Sequence, residues 1–127
     1  MAALVSSSVL SIGMTIAVFV QKALILSSLG RDSQYAFYAA DTGAECALYW
    51  DVRYSYFQIN TAPAGVSPRC NGQAIAASGR NSSYPQTMTF EYEQVTRDGR
   101  HYCIDVSVNK TQNASNAVST TVHSDGY

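Results

Sequence analysis

The sequence predicts an α+β fold. One long N-terminal α-helix, an apolar stem plus an amphipathic half, packs on a small antiparallel sheet of three to four strands. Three observations predict it. The first thirty of the 127 residues carry one side-chain charge, Lys22, and no acid. That run continues, without a proline, into a stretch with helical periodicity that ends near Arg53. From Thr87 onward the pattern changes to alternation with period two, broken by turn residues.

The stem occupies residues 1–29. Ala2 to Val20 is long enough to cross a bilayer, which takes about twenty apolar residues. Lys22 then falls where its ammonium can reach an interface. Ser6, Ser7, Ser8, Ser11 and Gly13 permit close approach of neighbouring helices. The residues expected to pack in the core of an assembly are Leu4, Val5, Leu10, Ile12, Gly13, Ile16, Val20, Leu24 and Leu26. A basic n-region is missing, so this is not the pattern of a cleavable signal peptide.

The rest, residues 30–127, reads as one head: the amphipathic helix half at 30–54, a long loop at 55–86, and the sheet at 87–124. In the helix, Tyr38, Thr42, Cys46 and Tyr49 recur at helical spacing, with Phe37, Ala44, Leu48 and Val52 beside them. Phe37, Tyr38, Leu48, Tyr49 and Val52 are therefore the expected sheet-facing side chains. Gly43 costs about 1 kcal/mol against Ala inside a helix, so its expected role is close packing. A helix of about fifty residues would be roughly 75 Å long, more than a core of this size uses, which argues for assembly or membrane insertion.

The loop carries Asn60, Pro63, Gly65, Pro68, Asn71-Gly72, Gly79, Asn81 and Pro85. One short strand is expected at Tyr56–Ile59, and local turns elsewhere. Three strands follow. Thr87–Val95 points Met88, Phe90 and Tyr92 inward. Asp98-Gly99 turns the chain. His101–Val108 points Tyr102, Ile104, Val106 and Val108 inward. Lys110 to Ser115 is expected to be a polar turn, and Ala117–His123 the last strand, with Val118, Thr120 and Val122 inward. The apolar face of this meander needs a cover, and the amphipathic helix is the candidate.

Charged residues make up 13% of the chain against a typical value of about 25%, with net charge −1, so neither a strong polyanion nor a polycation is implied as partner. The three cysteines, Cys46, Cys70 and Cys103, cannot all pair within the chain. A disulfide is favoured over a metal site, since the spacing is wide and no Cys-x-x-Cys occurs. Cys46–Cys70 would pin the loop to the helix. Cys103 alternates away from the inward residues, which makes Cys46–Cys103 awkward and leaves Cys70–Cys103 as the alternative.

Catalysis has no constellation behind it. His101 and His123 lie on strands without a neighbouring nucleophile; Asp41, Glu45 and Asp51 share a helix, but Asp41 and Glu45 read as caps or inter-subunit contacts rather than an acid/base pair. No cofactor and no small-molecule substrate are expected. Tyr49, Trp50, Tyr54, Tyr56 and Phe57 form an aromatic cluster that reads as core and interface packing, with a ligand-binding or base-stacking surface as the alternative. Arg97 and Arg100 flank the hairpin tip, and with Lys110 they are a sparse footprint for DNA or a host surface. Asn81, Asn109 and Asn113 open glycosylation-type triplets.

The run Ala36-Phe-Tyr-Ala-Ala-Asp-Thr-Gly-Ala-Glu45, on a long helix that begins with an apolar stem and precedes a small sheet, resembles the bacterial type IV pilins and pilin-like proteins. Ala36, Phe37, Ala39, Ala40, Asp41, Thr42, Gly43 and Glu45 carry the match, and Thr120–Tyr127 is similar to the final strand of that group. The resemblance implies a structural subunit that polymerises with copies of itself through the stem. It also implies a membrane-held precursor, an assembly machinery as partner, and roles in adhesion, twitching motility or DNA uptake. The departure is Val5, where mature pilins usually carry Glu. The terminal amine must then be satisfied otherwise, by Ser6 to Ser8 or by a neighbour's carbonyls. A basic leader, as pilin precursors have, would lie ahead of Met1. Alternatives are a minor or tip pilin, a secretion-system pseudopilin, or a single-span anchored extracytoplasmic domain that binds a ligand as a monomer.

Overall fold

A computed structural model describes residues 2–97 and 99–127, with side chains described from Val9 onward. Helix α1 runs Ala2–Tyr54, and the strands are β1 (Arg69–Cys70), β2 (Gln73–Ala74), β3 (Gln86–Val95), β4 (His101–Gln112) and β5 (Val118–Gly126). The fold is α+β, as expected. The chain divides into two units, one up to Gln34 and one from Tyr35 onward. In the second unit, the Tyr35 ring lies 5.6 Å from the Tyr102 ring of the sheet.

Helix α1 ends without a glycine. Ser55 takes the left-handed conformation at φ 51°. Its N–H donates to the Asp51 carbonyl, and Tyr56 N–H donates to the Trp50 carbonyl, which satisfies two of the final carbonyls. The next residues turn instead of extending: Tyr56 and Phe57 are buried turn residues, and the expected strand at Tyr56–Ile59 does not form. Their rings are needed in the core, where Phe57 stacks on Phe90 at 5.7 Å.

The main sheet is a β3-β4-β5 antiparallel meander. Register pairs Met88 with Val108, Phe90 with Val106 and Tyr92 with Ile104, so one face of β3 and β4 is continuously apolar. All six are buried, as the alternation predicts. In β5, Val122 is partly buried on the same face, while Val118 at the strand start is exposed. Strands β4 and β5 both outrun their expected ends. The expected polar turn at Lys110 to Ser115 is corrected: Lys110 to Gln112 are strand, and the turn is confined to 113–117. There Asn113 Oδ1 accepts the N–H groups of Ser115 and Ala117, and Asn116 takes φ 62°.

The loop holds a second, two-stranded hairpin, β1–β2, in place of turns alone. Asn71-Gly72, at φ 48° and 78°, supplies the two positive angles that a tight hairpin needs. Most of the remaining loop is tied down. Arg80 donates to the Tyr56 and Gln58 carbonyls and lies over the Tyr56 ring. Buried Gln86 donates to the Phe57 carbonyl and accepts from Asn81 N–H. Ser78 forms an isolated bridge to Thr89.

The helix meets the sheet through small residues. Ala39 and Ala47 are 2% and 0% exposed, and Gly43 between them is buried. A Cβ on Gly43 would lie 2.4 Å from Ser124 Oγ and 2.6 Å from Ile104 Cγ2. From the other side, a Cβ on Gly126 of β5 would lie 2.1 Å from the Ala36 carbonyl oxygen. Backbone therefore approaches backbone. This overturns the expected helix-to-sheet contacts of Phe37, Tyr38, Leu48, Tyr49 and Val52, all of which are exposed, Phe37 at 68% and Val52 at 81%. Their bulk would hold the helix off the sheet, whereas the Ala39-Gly43-Ala47 face lets β4 and β5 pack at close range.

Candidate functional site

The surface that stands out is the helix itself, in two separate parts. In the stem, Leu10, Ile12, Ile16, Val20, Leu24 and Leu26 are all exposed, as are Val9, Met14, Val18, Phe19, Ile25 and Leu29. The expected Leu4 and Val5 lie outside the described side chains. Gly13 has open space around its Cα. The helix is long and apolar enough to cross a membrane. Thr15 donates its hydroxyl to the Ser11 and Ile12 carbonyls, so this polar group is satisfied within the helix, as an apolar surrounding requires. A shallow apolar groove lies between Ser11 and Lys22, lined also by Met14, Thr15, Val18 and Phe19. Lys22 has no ion-pair partner among the described residues.

In the head, the side of α1 turned away from the sheet presents Phe37, Tyr38, Leu48, Tyr49 and Val52 to the outside, with exposed Asp41 and Glu45 among them. Exposed apolar groups gathered on one helix face mark an interaction surface. Tyr49 sits in the expected aromatic cluster, at 5.3 Å from Trp50 and 5.8 Å from Tyr54. The Tyr49 pKa is raised, chiefly by its hydrogen bond to the Tyr54 side chain. Trp50 is the most enclosed of the three on the helix, and its indole N–H donates to the Arg69 carbonyl.

That contact lies beside the covalent one. Cys46 and Cys70 form a disulfide across 24 positions, holding β1 against the helix. Cys103 is free and exposed on the outer face of the sheet, so the Cys70–Cys103 alternative is not what the fold makes.

The outer face of the sheet is polar. Glu91, Asp105 and Asp125 stand in one cross-strand row. His101 pairs with Glu93 at 2.5 Å, and His123 with Asp125 at 3.1 Å. No group of three metal-ligating side chains occurs among the described residues. Arg97 is exposed at the β3–β4 turn and Arg100 at the far end of it, while Lys110 is buried and engaged elsewhere, so the three do not form one basic patch. Of the triplet asparagines, Asn81 and Asn113 are exposed and Asn109 is half-buried. Asn109 donates to Thr87 Oγ1, and Asn113 is committed to its turn.

Sequence reasoning missed the pair Asp51 and Lys110, the anchors Arg80 and Gln86, and Gly126. It did have one usable signal for the buried helix face: Ala39-x-x-x-Gly43-x-x-x-Ala47 is a small-residue stripe at helical spacing. Compared with known families, curated proteins and solved structures, the chain matches none of them.

Proposed function

We propose that this chain is a structural subunit of a type IV pilus-like extracellular filament. The observation that carries the proposal is the helix: its first thirty residues hold one charge, and every described side chain from Val9 to Leu26 is exposed. A single copy can bury that surface only in lipid or against other helices. In this reading the stem spans the cytoplasmic membrane before assembly and forms the filament core afterwards. An assembly machinery moves it between the two. The head forms the outer surface, and the disulfide suits an oxidising compartment. Adhesion, motility or DNA uptake would follow from the filament.

Electron microscopy of filaments sheared from cells, with quantitative peptide analysis, tests it. Fibres composed mainly of this chain are the expected result. Trace content in fibres of another subunit would make it a minor or tip pilin or a pseudopilin. A detergent-extracted monomer that never polymerises would make it a single-span anchored binding domain.

A further inference from the structure

The two outer edges of the main sheet differ. The edge of β3 is covered. Ser78 exchanges two backbone hydrogen bonds with Thr89, Gln73 Oε1 accepts the Glu93 N–H, and Gly79 packs on the Thr87 carbonyl. The edge of β5 has no such cover. Cys103 and Tyr127 exchange both their hydrogen bonds, so the odd-numbered residues of β5 turn their backbone groups to β4. The even-numbered ones, Val118, Thr120, Val122, Ser124 and Gly126, turn N–H and C=O away from the sheet. These groups meet no partner among the described residues. Natural edges are guarded by proline, lysine, a bulge or short length. Strand β5 runs 9 residues with no proline, no lysine and no break in register.

We propose that β5 pairs edge to edge, antiparallel, with β5 of a second copy of this chain. Among the described residues β5 is the one long strand with an open edge, so a copy that completes it offers the same strand. Antiparallel pairing keeps inner face beside inner face, and partly buried Val122 gains cover. Parallel pairing of the same two edges would set the inner face of one copy beside the polar outer face of the other. Only with Val122 opposite Val122 of the second copy do all the outward-turned residues of β5 find partners. Asp125 then faces Ser119 of the second copy and His123 faces Thr121, so no like charges meet. The contact is two-fold and closes on itself. It sets the two head helices antiparallel, whereas copies in one membrane or one filament share a direction. The pairing therefore joins heads of different filaments, as when filaments from facing cells meet. It rests on the filament reading above and names an adhesive partner for it, another filament of the same chain.

The test uses the full chain as sheared filaments, with Cys103→Ser throughout to remove the free thiol. Filaments carrying Thr121→Cys are mixed with filaments carrying His123→Cys, oxidised and run on a non-reducing gel. The two positions face each other across the pairing with about 4.5 Å between Cα atoms, within disulfide reach. A dimer band is expected from the mixture and little from either alone. Val122→Pro in both removes the outward N–H at the centre without touching the β4 ladder, and should cut the dimer by roughly tenfold or more. Val122→Ala keeps the N–H and should cut it far less. Trp50 fluorescence checks that each variant is folded. Filaments whose mixture gives no dimer, a dimer that Val122→Pro leaves intact, or an equal loss with Val122→Ala would overturn the pairing and leave the filament reading standing. Detergent-extracted chain that forms no filament but gives the Val122→Pro-sensitive dimer would uphold the pairing and overturn the filament reading. Folded chain that gives neither would overturn both.

Discussion

Lys110 Nζ lies 2.5 Å from Asp51 Oδ1, joining the last turn of the helix to the middle strand of the sheet, with both side chains about nine-tenths buried. Thr120 Oγ1 donates to the other carboxylate oxygen at 3.2 Å. The ion pair therefore ties α1, β4 and β5 together at one point. Removing one partner leaves the other charge buried without compensation, which costs about 3–5 kcal/mol. Asp51→Asn and Lys110→Met should each lower the stability of the head by that order. Asp51→Leu/Lys110→Met should lose less than either, because no charge is left stranded. Denaturant titration of the full chain in detergent, followed by Trp50, the sole tryptophan, reads all three.

Gly43 and Gly126 face opposite ways across the same interface, and neither has room for a methyl group. Gly43→Ala would gain about 1 kcal/mol of helix propensity. It would also press a Cβ into Ser124, Ile104 and Val106, and overpacking of that kind costs about 1–3 kcal/mol. At Gly126 the obstacle is the Ala36 backbone, which yields less readily than a side chain. The expected order of damage to the unfolding midpoint is Gly126→Ala, then Gly43→Ala. Gly13→Ala, in open space, should leave the Trp50 transition where it is.

The same interface explains what was legible. Strand alternation gave Met88, Phe90, Tyr92, Ile104, Val106 and Val108 correctly, because period two has a single inward parity. The helix face was misread because apolar size at Phe37, Tyr38, Leu48 and Val52 outweighed fit at Ala39, Gly43 and Ala47. Hydropathy ranks a Phe above an Ala, but only the small face permits backbone contact. The buried pair was hidden for another reason. Asp51 and Lys110 are 59 positions apart, and an isolated charge beside a turn-like Asn-Lys-Thr stretch reads as solvated until the strand register lifts it onto the inner face. The Cys46–Cys70 bridge was legible because strand parity points Cys103 outward.

The disulfide closes a segment of 24 positions, for which loop entropy predicts a stabilisation of about 3.5 kcal/mol. Cys46→Ser/Cys70→Ser should lose about that much. It should also free the β1–β2 hairpin, because the Trp50 indole bond to the Arg69 carbonyl is the neighbouring tether. A red-shifted Trp50 emission under native conditions, together with the lowered midpoint, is the expected signature. Cys103→Ser, at an exposed site, should change neither.

The Tyr92 hydroxyl is buried without a hydrogen-bond partner among the described residues, and burial raises its pKa above the ordinary tyrosine value of 10.0. The phenolate is disfavoured in the folded chain, so near and above pH 10 the unfolded state releases a proton that the folded state keeps. The folded state then binds more protons, and stability falls as pH rises. Below pH 10 the contribution is constant. As pH climbs through the unfolded value toward the raised folded one, it is progressively lost. Tyr92→Phe removes both the titration and the unsatisfied hydroxyl. It should be neutral or slightly stabilising at pH 7, since removing an unpartnered buried polar group relieves a cost of about 1–3 kcal/mol against little lost packing. Between pH 9 and pH 11 the variant should lose less stability than the parent. Equal alkaline slopes for the two chains in matched denaturant titrations would show that Tyr92 is not the group responsible.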